Sequence, residues 1–191
     1  MKYPRFACAI FLCMIICACS SAPTNAPDVS PVRLTNFRKF YLLPTECVQK
    51  DTDSLVLLSG GYKDFSFAAQ AFITANRGLL SLYLLNEFGT TMGTLDYNGK
   101  TIAGEFAMLS GKLQPEYLAA DMQLCLYQPE ALQKELKRIG LTLECIEAAD
   151  GVELRHILRK KKLLIEIQKS AGEIAYTNHL RGYYYTITGD F

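Results

Sequence analysis

Residues 65–84 read Phe-Ser-Phe-Ala-Ala-Gln-Ala-Phe-Ile-Thr-Ala-Asn-Arg-Gly-Leu-Leu-Ser-Leu-Tyr-Leu, and their period decides the fold. Phe65, Phe67, Ala69, Ala71 and Ile73 alternate with Ser66, Ala68, Gln70 and Thr74. This is the two-residue repeat of a strand with one buried face. Asn76-Arg77-Gly78 is a turn signal, after which Leu80, Leu82 and Leu84 line one face while Ser81 and Tyr83 point the other way. Asn98-Gly99 marks a further tight hairpin, between Thr91–Tyr97 and Lys100–Leu109. Upstream, Leu55–Leu58 supplies an earlier strand that ends at the Gly60-Gly61 break. Successive hairpins make an antiparallel meander.

The period then changes. Pro115 opens a run in which Leu118, Met122, Cys125 and Leu126 recur at helical spacing. Pro129 opens a second helix, with Leu132, Leu136 and Ile139 on one face and Gly140 at its stop. Period two returns in Leu141–Glu147, Val152–Leu158, Leu163–Gln168, Gly172–Thr177 and Tyr183–Thr188. Strands, helices, then strands predict an α+β domain over residues 32–191: a curved antiparallel sheet with short helices over one face.

The chain has 191 residues, 50% hydrophobic and 20% charged, with Lys+Arg 20 against Asp+Glu 19. That balance excludes a disordered chain and a basic nucleic-acid-binding protein. Its one unbroken apolar run, residues 6–18, is too short to span a bilayer as a helix. Lys2 and Arg5 precede that run, and Ile16-Cys17-Ala18-Cys19 ends it, so residues 1–18 read as a secretory signal. The ending has the bacterial lipoprotein pattern: an aliphatic residue three before the cysteine, a small residue directly before it, then the thiol that takes the lipid. Cys19 alone fits, because Ile16 precedes Cys17 and Leu12 precedes Cys13. Acyl and diacylglycerol chains on Cys19 would hold the protein on a membrane, and no other cofactor is expected. Ser20 rather than Asp after the cysteine resembles the signal for export to the outer membrane of bacteria with two membranes. Ser20 to Pro31, with Pro23, Pro27 and Pro31, reads as a flexible tether reaching about 35–40 Å when extended.

Cys47, Cys125 and Cys145 remain after the signal and anchor. Three thiols allow one disulfide or none, and without CxxC or Cys/His spacing a zinc site is not expected. No GxSxG, HExxH or GxGxxG motif is present. Gly99-Lys100-Thr101 resembles the end of a phosphate loop, but the partner glycine position holds Thr94 and the context is a hairpin. His156 and His179 fall in strand patterns and read as satisfied sheet histidines. Arg159-Lys160-Lys161-Lys162 reads as a solvated hairpin tip, with contact to anionic lipid or a partner as the alternative. Arg181-Gly182-Tyr183-Tyr184-Tyr185 suits core packing, a pocket wall or an amphipathic rim.

Leu82–Tyr97 resembles the segment of the outer-membrane lipoprotein acceptor LolB that reads as an apolar strand, Asn-Pro-Leu-Gly, then a second strand. Asn86 and Gly89 match, Glu87 stands in place of the proline, and Phe88 falls at the leucine that in that family protrudes and helps put lipoproteins into the membrane. The mature chain also resembles a family of uncharacterised bacterial lipoproteins, a domain of unknown function that often accompanies aryl-polyene lipid biosynthesis genes. Tyr117–Leu124, the Pro129–Gly140 helix and Leu180–Tyr184 carry that resemblance, over roughly residues 35–188. It implies a LolA/LolB-like incomplete β-barrel whose helices form a lid over an apolar cavity, and a lipid-handling role. On that reading Leu80, Leu82, Leu84, Leu95, Leu118 and Met122 line the cavity, and Phe88, Gly89 and Asn86 form the membrane-contacting loop. Periodicity does not separate such a cavity from a solidly packed core.

The expected function is therefore that of a non-enzymatic, monomeric lipoprotein on the periplasmic face of the bacterial outer membrane. It would bind, carry or accept a lipid or lipid-linked molecule, including a lipoprotein, with a periplasmic carrier or exporter as a possible partner. A lipoprotein scaffolding an export or lipid-biosynthesis complex is the alternative. A lipid hydrolase or transferase has little in the sequence to carry it.

Overall fold

The computed structural model describes residues 29–106, 114–148 and 151–190, so the signal segment, Cys19 and most of the tether lie outside the described residues. Its main element is one open antiparallel sheet of ten strands. The first half is β3 (Thr52–Tyr62), β4 (Phe65–Ala75), β5 (Leu80–Leu85), β6 (Thr91–Tyr97) and β7 (Ile102–Phe106). The second is β8 (Thr142–Glu147), β9 (Glu153–Arg159), β10 (Lys162–Ser170), β11 (Glu173–Asn178) and β12 (Tyr183–Thr188). Between the halves lie α1 (Pro115–Leu126) and α2 (Pro129–Arg138), each opened by its proline. Gly140 follows α2 at φ +73°, the left-handed conformation that glycine adopts without a Cβ penalty. A short hairpin, β1 (Val32–Thr35) and β2 (Arg38–Phe40), stands outside the main sheet.

Spatial order along the sheet is β7-β6-β5-β4-β3-β12-β11-β10-β9-β8. Two meanders are thus joined by β3 and β12, with Leu58 opposite Ile187 and Gly60 opposite Tyr185. The glycine pair does not end β3, as the sequence suggests, but continues it to Tyr62. A Cβ on Gly60 would lie 2.5 Å from the Tyr184 carbonyl and 2.8 Å from the Tyr185 Cβ. Glycine is there because β12 approaches closely, not because the chain turns.

The turns form where Asn-Gly chemistry places them. The Asn76 side-chain oxygen accepts from the Gly78 and Leu79 amides at 2.8 and 3.0 Å, and that of Asn98 accepts from Lys100 and Thr101 at 3.0 and 2.8 Å. Strand β4 alternates, with Ala69, Ala71, Ile73 and Ala75 buried while Ala68, Gln70 and Phe72 are exposed, but β5 buries Ser81 along with Leu80 and Leu82 rather than turning it outward.

Helix α1 lies on the buried face. Ala119 to Leu126 are all buried, so this stretch is enclosed on every side. It packs against β6 and β7 near one edge of the sheet, and its side chains or carbonyls also meet β9, β11 and β12. From β7 to β9 is about 38 Å across a flat sheet at about 4.8 Å per strand, against a helix diameter of about 10–12 Å. The sheet must curve around the helix for one helix to touch both. Helix α2 buries Leu132 and Leu136 and packs on β8.

Candidate functional site

The β5–β6 hairpin presents the most exposed apolar side chain of the main sheet. Phe88 is 82% exposed at its tip. Asn86 builds the turn: its side-chain oxygen accepts from the Phe88 amide at 3.0 Å and from the Thr90 amide at 2.8 Å. The Asn86 carbonyl also accepts from the Gly89 amide at 2.9 Å, and its amide donates to the Thr90 carbonyl at 2.9 Å. Gly89 takes φ +75°, as the turn requires. With Glu87 where the resembled turn has proline, the Asn86 carboxamide supplies the stiffness that a proline ring would otherwise give.

The leucines expected to line a cavity sit in the core. Leu80, Leu82, Leu95 and Met122 are at most 2% exposed in one continuous hydrophobic cluster. Leu84 and Leu118 pack at its margin, partly buried. Two surface hollows lie elsewhere. One of about 360 Å³ is lined by Ser30 to Arg33 with Gln114, Glu116 and Tyr117, and one of about 240 Å³ by Gln49, Lys50, Thr52, Leu126, Lys169, Ser170 and Ile174.

Polar groups fix α1 within this apolar interior. The hydroxyls of Tyr176 and Tyr183 each donate to the buried Asp121 carboxylate at 2.6 Å. Asn178 donates to the Tyr183 hydroxyl at 3.1 Å, and the Tyr176 ring stacks on Tyr185 at 4.6 Å between centroids. Burial pushes the Asp121 carboxyl up to about 6, against the two hydroxyl donors and the Arg181 charge, which favour its ionised form. With both hydroxyl protons committed to the carboxylate, the arrangement fastens α1 to β11 and β12. Gln123 makes a second fastening, its amide donating to the Leu43 carbonyl at 2.9 Å and its oxygen accepting from the Leu43 amide at 2.8 Å.

Arg155 on β9 is fully buried and makes the third. Its guanidinium donates to the Leu124 and Tyr127 carbonyls at 2.9 and 2.8 Å, to Glu153 at 2.6 Å and to Gln49 at 2.6 Å. Helix ends leave carbonyls without partners, and here a cation from the sheet satisfies them. Lys169 completes the group, 3.2 Å from Glu153. Arg155 had only a faint signal in sequence: it shares the alternation of Ile157 and so falls on the inward face.

The remaining candidates separate. Cys47, Cys125 and Cys145 are all free, with Cys125 buried beside the Tyr185 hydroxyl at 3.7 Å and Cys145 exposed. His179 pairs with Glu166 at 3.3 Å on the surface, and His156 lies between Glu144 and Glu166 in register. Among the described residues no group of three or more His, Cys, Asp or Glu side chains could hold a metal ion. Arg159 to Lys162 form the exposed β9–β10 turn, with Lys160 at φ +58°.

No curated protein matches the chain. A family model does, and it runs from the middle of β3 through the end of β12, taking in Phe88, Asp121, Arg155 and the tyrosine strand. Two segments that carry the resemblance, Tyr117–Leu124 and Leu180–Tyr184, meet in space: Asp121 bonds to Tyr183 and the Arg181 guanidinium lies 5.5 Å from the centre of the Tyr117 ring. By the match over residues 57–189, the chain belongs to the family described as protein of unknown function (DUF3261).

Proposed function

We propose that this protein is a non-catalytic lipoprotein, anchored through Cys19 at the periplasmic face of the bacterial outer membrane, that receives or delivers a lipid or lipid-linked molecule. The observation that carries the reading is Phe88, a large apolar side chain held out at 82% exposure by the Asn86-built turn. Burying such a ring in lipid contributes about 1.5–3 kcal/mol, enough to favour contact with a bilayer over water by tenfold or more. The resemblance to lipoproteins that accompany aryl-polyene genes supports a lipid-linked ligand. Among the described residues no helix is long and apolar enough to cross a membrane.

Transfer of a fluorescent phospholipid to acceptor vesicles tests the reading. Phe88→Glu, with its circular dichroism unchanged, is expected to slow transfer at least about tenfold. Unaltered transfer by the folded variant removes Phe88 from the mechanism. A scaffold for an export or biosynthetic complex is the second reading, favoured by the packing of Leu80, Leu82, Leu95 and Met122 into the core. Native mass spectrometry of the periplasmically produced protein separates the two. A stoichiometric bound lipid supports the carrier, and an empty domain with a co-purifying partner supports the scaffold.

A further inference from the structure

Antiparallel pairing sends successive turns to opposite ends of a sheet. Tyr62 pairs with both Phe65 and Tyr183, Leu85 with Thr91, and Lys162 with Arg159. The β3–β4, β5–β6, β9–β10 and β11–β12 turns therefore share one end, and the β4–β5, β6–β7, β8–β9 and β10–β11 turns share the other.

The two ends differ in charge. The first carries Lys63, Arg159, Lys160, Lys161, Lys162 and Arg181 against Asp64 and Glu87. The second carries Lys50, Arg77, Lys100 and Lys169 against Asp51, Asp53, Glu147, Glu153, Glu173 and Asp190.

They also differ in apolar exposure. Phe88 at 82%, Phe65 at 51% and Tyr62 at 47% stand at the basic end. Phe37, the tip of the β1–β2 hairpin, belongs with them: the Arg33 carbonyl of that hairpin accepts from Arg181 in the β11–β12 turn, and Arg38 lies against Gly140, just ahead of where β8 begins. At the acidic end the exposed large apolar side chain among the described residues is Ile146, at 44% and one residue in from the end of β8, against three aromatic rings at the basic end.

The described chain begins at the same end. Ser30 to Arg33 line a hollow with Gln114, Glu116 and Tyr117, where α1 starts. The stretch that precedes them, with Cys19 in it, thus joins the fold at the basic, aromatic end.

From these observations we infer that this end is a docking face for an anionic phospholipid surface, with Lys160, Lys161 and Lys162 on the headgroups and Phe37, Tyr62, Phe65 and Phe88 at the level of the acyl boundary. Long cationic side chains beside aromatic tips suit a planar surface that is charged outside and apolar within. The inference deepens the lipid-handling reading and rests on it for the choice of a membrane as occupant. Each cation at such a surface contributes about a fivefold gain in binding.

The chain contains no tryptophan, so one introduced indole reports its own surroundings. Full-length Phe88→Trp and Lys100→Trp, the latter at the opposite end and each also carrying Cys19→Ser so that no acyl anchor tethers it, are placed on vesicles of phosphatidylcholine alone or with one quarter phosphatidylglycerol, with brominated acyl chains as quencher. The indole at position 88 is expected to shift to the blue and be quenched on the anionic vesicles, several-fold less on the neutral ones and in high salt, while that at position 100 stays in water. Lys160→Glu, Lys161→Glu and Lys162→Glu together are expected to weaken the response about a hundredfold or more in lipid concentration. Equal quenching on neutral vesicles, an unmoved indole on anionic ones, or equal quenching at position 100 overturns the inference. Docking without phospholipid transfer upholds this face and overturns the transfer role instead.

Discussion

Asp121 is a carboxyl group enclosed by the fold, and the cost of its charge sets how the protein responds to pH. Burial raises its folded value to about 6 from an ordinary 3.8, so the folded chain holds a proton that the unfolded chain releases. Stability from this group is therefore fully present below about pH 4 and is lost as pH rises through about 6. A shift of this size corresponds to about 2–3 kcal/mol. Urea unfolding across pH 4 to 7 is expected to show that decline in the wild type and a flatter profile in Asp121→Asn; parallel profiles would deny the carboxyl this role. Glu153 acts in the opposite sense: burial raises its carboxyl, but Arg155 and Lys169 together outweigh that and hold it below the usual range, so its contribution fades as pH falls. Nothing local in the sequence distinguishes Asp121 from a surface carboxyl. Its neighbours Ala119, Ala120 and Met122 are apolar, but the tyrosines that receive it come more than fifty residues later and on other strands. Phe88 and Asn86 were reached by contrast through the resemblance over the contiguous stretch Leu82–Tyr97, and the turn that Asn86 builds there is local.

At the level of the element, α1 is a helix whose C-terminal carbonyls are met by a side chain from the sheet. Arg155 supplies a planar fork that reaches two carbonyls, a carboxylate and an amide oxygen at once, which a lysine ammonium does not reproduce. Arg155→Met is expected to cost about 3–5 kcal/mol, because Glu153 and the carbonyls of Leu124 and Tyr127 lose their partner in the interior. Arg155→Lys is expected to recover less than half of that, and a loss under about 1 kcal/mol in Arg155→Met would show that water replaces the guanidinium. Denaturation midpoints of the two variants decide it. The helices themselves were readable from Pro115, Pro129 and Gly140, as were most strands from their alternation. The Gly60-Gly61 pair misled because glycine carries the same letter whether the chain turns or a neighbouring strand crowds it. Only the pairing of β3 with β12 tells the two apart, and that pairing spans most of the chain.

The whole molecule is an open sheet wrapped on a buried helix, with its charges sorted to its two ends. Its free thiols report on that architecture. Cys125, enclosed in α1 and pushed up to about 12 by burial, is expected to react with a thiol reagent only as fast as the entire fold opens, whereas exposed Cys145 reacts in the native state. Peptide mapping after timed labelling measures both, and equal rates would mean that α1 leaves the sheet without global unfolding. Strand order and curvature at this scale were the least legible features, since they follow from contacts between distant segments. One of those contacts has a temporal meaning. The seam between β3 and β12 joins residues 57–62 to residues 183–188, so the centre of the sheet is laid down last. Each meander can zip locally as its hairpins become available, but the two cannot merge until the strand Tyr183–Thr188 is present. The sheet therefore stays in two unfinished halves until its last strand arrives, and a nonsense codon shortly before Tyr183 would divide it through its middle rather than trim its edge.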